Sequence, residues 1–228
     1  MHVRHQIYLW LSATFVTSLV VADVIGGRLF PVGPFTLSAG MIPFPVTFLL
    51  TDLLNEYYGQ KAARRVTYLG LAMALFTFAL LLIARRLPSS PYSVIPDDAF
   101  EAVFGVSNRL YVASLSAYLV GQLVDISVFH GLKRLTGGRH LWLRATGSTV
   151  VSQAIDSLIV SYVLFYGLPR QDGTTPTVLE ILKLAATGYA MKFVIAVGLT
   201  PLIYAGHGLL HSRFQVTPMP VEDEREVA

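Results

Sequence analysis

The chain has 228 residues, 54% of them hydrophobic and 14% charged, where soluble domains carry about 25% charged residues. That balance excludes an ordinary soluble domain. The absence of cysteine excludes a disulfide framework, a thiolate metal site and a cysteine nucleophile. A pI near 9.2 fits a basic cytoplasmic face on a membrane protein, so no nucleic-acid partner is expected.

Six stretches are long enough to cross roughly 30 Å of hydrocarbon: residues 6–25, 37–56, 66–84, 108–132, 143–167 and 178–206. The first begins like a signal peptide. Its apolar run lasts past the usual length and lacks a small-residue cleavage site, so it reads as a retained helix. Between the third and fourth spans, SSPYSVIPDDAFEAVFG starts a short amphipathic piece at Pro96-Asp97 and ends it at Gly105, a pattern expected to lie on the membrane surface. The sequence from Gln215 through VEDEREVA is polar and proline-punctuated, and is expected to be a disordered cytoplasmic tail. The division is therefore a transmembrane domain over 1–214 and a tail over 215–228. Lys and Arg set the orientation. Arg4, Lys61, Arg64, Arg65, Lys133, Arg134, Arg139, Arg144, Arg213 and Arg225 fall on one side. Only Arg28, Arg85, Arg86, Arg109, Arg170 and Lys183 fall on the other. The fold class is an all-α polytopic membrane protein with six transmembrane helices and both termini cytoplasmic.

Polar groups at membrane depth carry the chemistry. In PFPVTFLLTDLLNEYYG (43–59), Asp52, Asn55 and Glu56 stand at i, i+3 and i+4 and share one helical face. GQLVDISV (121–128) and SQAIDSLI (152–159) echo each other, so that Gln122/Asp125 and Gln153/Asp156 each occupy i, i+3. Asp23 and Lys192 complete the set of buried ionisable groups. A charge at a helix centre costs roughly 2.5–3.5 kcal/mol on insertion scales. Five acids and one lysine cannot all pair, so several must be protonated, hydrated or facing a polar cavity. Lys192 most simply neutralises one of the acids. A carboxylate can accept two parallel N–H bonds from the Watson–Crick edge of a guanine-like base, and a neighbouring amide can meet its carbonyl. Phe44, Phe48, Tyr57, Phe129 and Trp142 are the aromatic candidates for stacking on a flat base. Pro43 and Pro45 are placed to break the second helix near such a site. The scattered histidines match no metal signature, and no metal or cofactor is expected. TGGRH (136–140) has the glycines of a phosphate loop without its lysine or spacing, and reads as a basic turn. No serine or aspartyl protease motif is present, so no enzyme is expected.

Two runs, SAGMIPFPVTFLLTDLLNEYYGQKAARRV (38–66) and GQLVDISVFHGLKRLTGGRHLWLRATGSTVVSQAIDS (121–157), resemble the vitamin uptake transporter family, and within it the queuosine precursor transporters of the bacterial inner membrane. The resemblance covers all six spans. It implies import of 7-cyano-7-deazaguanine, and of its 7-aminomethyl relative; with no ATP-binding motif in the sequence, the expected mode is facilitated or proton-coupled transport. It also implies roles for Asp52, Glu56, Gln122, Asp125, Gln153 and Asp156. With Asn55, Phe48 and Lys192 added from depth and facing, these form the expected substrate-binding set. The expected partners are the small molecule, the lipid bilayer and a second copy in a homodimer. Two other readings stay open: a substrate-binding subunit of an energy-coupling-factor type vitamin importer, and an intramembrane enzyme.

Overall fold

The computed structural model describes residues 3–32, 35–105, 108–167 and 174–220. Five helices among them are long and apolar enough to cross a membrane. Their outward faces carry large apolar side chains such as Trp10, Phe76, Leu80 and Val194, which is what a lipid-facing surface requires.

Helix α1 (Val3–Ile25) leads into a two-stranded antiparallel ribbon, β1 (Leu29–Val32) and β2 (Phe35–Ser38), in register Leu29↔Ser38 and Phe30↔Leu37. The all-α expectation did not include this ribbon. Pro31 has no N–H and a fixed φ, and Gly26 and Gly27 precede it, so a helix is disfavoured across the stretch. Ser38 Oγ donates to the Gly26 carbonyl at 2.6 Å, tying the ribbon back to the end of α1. A single 3₁₀ turn (Ala39–Met41) follows, and α2 (Phe44–Ala84) begins only after Pro43. The expected start at residue 37 is therefore early by seven residues, as the prolines dictate.

Helix α2 has 41 residues. A straight helix of that length would run about 60 Å, twice the hydrocarbon thickness. It is not straight. Gly59 sits at φ 77°, ψ 176°, a conformation outside the helical region, so 44–58 and 60–84 are two helical pieces meeting at this residue. Leu50, Leu54, Ala63 and Val66, from both sides of the break, belong to one buried cluster with Phe15 and Ile126.

Helix α3 (Asp97–Phe104) is bounded by Pro96 and Gly105, and buries none of its residues. Arg85, just past α2, holds its Glu101 carboxylate through Nε at 2.8 Å and through a second bond from the same guanidinium. Helices α4 (Asn108–Leu135) and α5 (Leu141–Phe165) pack the most extensively of any pair. The turn between them is tight because Gly137, Gly138 and His140 all take positive φ. Helix α6 (Val178–Phe214) opens on a capping box, with Thr177 and Glu180 exchanging hydrogen bonds.

The expected tail divides at the limit of the described residues. Gln215 closes α6 in the left-handed region, Val216 is buried against Leu53, Tyr57 and Leu210, and the Met219 N–H donates to the Glu56 carbonyl at 2.9 Å. Residues 215–220 thus run back along the bundle as a strap. Residues 221–228 lie outside the described part.

Candidate functional site

The inner faces of α1, α2, α4, α5 and α6 enclose a cavity of about 650 Å³, within the size range of small-molecule sites. The helical period explains who lines it. On α4, Ser114, Tyr118, Gln122 and Asp125 recur at four, four and three residues and share one face. On antiparallel α5, Ser152, Gln153, Asp156 and Val160, spaced by one, three and four residues, turn the same way into it. Ser152 Oγ donates to Asp125 Oδ1 at 3.1 Å, which fixes the deep end of the cavity. One turn outward, Gly121 faces the Cβ of Asp156. At the outer end Ser114 Oγ donates to Asp23 at 3.0 Å.

Six of the nine expected residues meet in this cavity: Phe48, Gln122, Asp125, Gln153, Asp156 and Lys192. The two Gln/Asp faces, 31 residues apart in sequence, converge on it. Lys192 pairs with Asp156 and stands over the Phe44 ring at 5.7 Å. The expected neutralisation of one acid therefore takes place within the cavity wall. Phe44 and Phe48 lie with ring centroids 4.3 Å apart. Asp125 Oδ2, Gln122 Oε1 and Gln153 Oε1 are buried acceptors with no hydrogen-bond partner among the described residues. Three acceptors beside two aromatic rings can receive a flat ligand rich in N–H donors.

Asp52, Asn55 and Glu56 do not line the cavity. They lie below it, all buried. Glu56 takes two hydrogen bonds from Arg144, Nη2 to Oε1 at 2.7 Å and Nε to Oε2 at 2.9 Å. Lys133 Nζ stands 3.8 Å from the same carboxylate and donates to the Met219 carbonyl at 2.9 Å. Arg144 also donates to the carbonyls of Gly138 and Arg139. Asn55 Oδ1 lies 3.2 Å from His130 Nε2. This cluster ties α2, α4, α5 and the strap into a plug under the cavity. Of the expected aromatics, Tyr57 is buried in the plug with its hydroxyl 2.9 Å from His207 Nδ1. Phe129 lies beneath Arg144 at 5.8 Å, and Trp142 is half-exposed on the outside.

Sequence reasoning missed Arg144. It stands at the end of a run of basic loop residues, so it reads as one more cytoplasmic charge. The structure places it in the first turn of α5 at 3% exposure. A usable signal was the buried Glu56, which needed a cation that Lys192 was too deep to supply.

A cavity that sets carboxylate and amide side chains among apolar walls, within a bundle of lipid-facing helices, fits a membrane carrier, and the comparisons with known proteins agree. The family described as "Putative vitamin uptake transporter" matches residues 38–206, and the chain belongs to that family. A Bacillus subtilis (strain 168) protein named "Probable queuosine precursor transporter" is 31% identical over 207 residues, covering 90% of this chain and 84% of its own. An Escherichia coli (strain K12) protein named "Queuosine precursor transporter" is 27% identical over 169 residues, 73% of this chain and 72% of its own. A Haemophilus influenzae relative named "Probable queuosine precursor transporter" is 29% identical over 130 residues, 56% of this chain and 51% of its own. No solved structure matches.

Proposed function

We propose that this chain imports queuosine precursors across the bacterial inner membrane, taking 7-cyano-7-deazaguanine and the 7-aminomethyl form. The names of the relatives support the substrate class. The observation that carries the chemistry is the trio of unpartnered acceptors, Asp125 Oδ2, Gln122 Oε1 and Gln153 Oε1, in a cavity walled by Phe44 and Phe48. The Asp125 carboxylate accepts from the ring N–H and exocyclic amine of the guanine edge. The Gln122 or Gln153 amide, whose oxygen and nitrogen can exchange places by rotation, donates to the base carbonyl. Phe48 supplies the stacking face. The six cavity residues form the binding set, and the plug around Glu56 closes the cytoplasmic exit in this state. Import then proceeds by alternating access, with α2 crossing the membrane twice about Gly59 to give six spans.

Purified protein in liposomes should accumulate labelled 7-cyano-7-deazaguanine without any partner. Asp125→Asn removes a charge-assisted hydrogen bond, so uptake should fall more than tenfold, equivalent to about 1.5–3 kcal/mol, with insertion intact. Uptake that appears only when an ATPase is supplied would favour the importer-subunit reading. Unchanged uptake by Asp125→Asn would make that carboxylate structural.

A further inference from the structure

Asp52 lies one turn below Phe48 on α2, behind the lower wall of the cavity, and is 2% exposed. Its Oδ1 has no hydrogen-bond partner, and no lysine or arginine among the described residues reaches it as an ion pair. The charges acting on it are Asp125 of α4, Glu56 of its own helix and Arg144 of α5. Helices α1 and α6 also pack on α2, and the titratable group α6 brings nearby, His207, is bonded to Tyr57. An ionised carboxylate so placed is a costly species, and binding a proton removes the cost. Arg144 does not pair with it in this state, because Glu56 holds the Nε–Nη2 edge of the guanidinium and two carbonyls hold Nη1. Yet Asp52 and Glu56 stand at i and i+4, so only about 6 Å of axial rise separates the two carboxylates that Arg144 could face.

We propose that import is proton-coupled and that Asp52 is the coupling carboxylate, exchanging its proton for Arg144. While Arg144 is clamped to Glu56, Asp52 holds a proton received from the cavity side through Asp125, whose Oδ2 is unbonded at the cavity floor. When the plug opens, Arg144 shifts one turn along α2 and pairs with Asp52. The Asp52 O–H bond breaks and the proton passes to cytoplasmic water. Glu56 keeps a cation throughout, because Lys133 already stands 3.8 Å away. The guanidinium stays charged in both states, so each cycle carries one proton inward with the substrate. This assignment rests on the import reading above.

The test uses the full chain in proteoliposomes with labelled 7-cyano-7-deazaguanine and two assays: counterflow at equal pH, and uptake under an imposed acid-outside gradient. Wild-type uptake should be stimulated by the gradient. Asp52→Asn, permanently neutral and offering Arg144 no anion to move to, should lose the stimulation, show a flat pH profile and slow counterflow; gradient stimulation that survives in this variant overturns the assignment. Asp52→Glu should restore both the stimulation and the profile. Wild-type uptake indifferent to the gradient, with counterflow intact, overturns proton coupling and leaves import standing. Loss of counterflow in both variants overturns the assignment by making Asp52 a ligand or a packing residue. Absence of counterflow in the wild type sinks the import reading and this inference with it.

Discussion

At the scale of single residues, the Glu56–Arg144 pair is a buried ion pair tied to three helices and a turn. Both side chains are almost fully buried and the geometry is bidentate. Removing one partner of a buried pair strands the other and typically costs about 3–5 kcal/mol, whereas removing both is far less damaging. Glu56→Gln, which leaves the buried Arg144 guanidinium without its carboxylate, should therefore lower the thermal midpoint in detergent markedly, and adding Arg144→Gln should recover much of the loss. Equal midpoints for the single and double variants would show that the two groups are not coupled. Legibility at this scale was uneven for a physical reason. Gln122/Asp125 and Gln153/Asp156 were readable because a local i, i+3 spacing puts each pair on one face. Arg144 was not, because its partner is 88 residues away and nothing local distinguishes it from Arg134 or Arg139.

Among the elements, α2 departs most from what its sequence suggests. Periodicity alone separates two apolar stretches, and the intervening YYGQKAARR reads as a loop. The structure instead continues helix on both sides of one residue. Gly59 at φ 77°, ψ 176° occupies a region essentially closed to residues with a Cβ, at a cost of about 1–3 kcal/mol. Gly59→Ala should thus destabilise the protein, as read by its thermal midpoint. Gly198→Ala is the control: that glycine lies inside α6 with open space around it, and alanine there should stabilise by about 0.5–1 kcal/mol. Matching behaviour of the two variants would remove the conformational argument. The ribbon over residues 29–38 was illegible because its pairing depends on the turn and on Ser38 reaching Gly26, neither of which an apolar/polar pattern encodes.

For the whole molecule, the number of crossings can be argued from which ends meet. Arg4 Nη2 donates to the Tyr57 carbonyl at 2.6 Å, and the Met219 N–H donates to the Glu56 carbonyl. The beginning and the end of the described chain therefore meet at the same end of the bundle, together with the α4–α5 turn through Gly138 and Arg144. Chain ends on one side require an even number of crossings. Five long helices satisfy this when α2 counts twice, which supports the six-span reading. Reporter fusions at Gly59, Gly138 and Ala228 should all report cytoplasm, and one at Ser90 the exterior. A periplasmic signal at Gly138 would overturn the topology. The carrier class and the helical architecture were readable from the apolar runs and motifs. The division between an open cavity and a sealed plug was not, because it depends on contacts between helices distant in sequence.

The strap has a bearing on biosynthesis. Met219 stands between Pro218 and Pro220, neither of which has an amide hydrogen, so it offers the one N–H of that tripeptide, and both its N–H and its carbonyl are taken up by the bundle. A clasp made by main-chain atoms is blind to side-chain identity, so position 219 can drift to any residue but proline. It is also translated after every helix. A nascent carrier therefore passes through an interval in which its described helices are already synthesised while the end of the bundle around Glu56 still lacks the clasp.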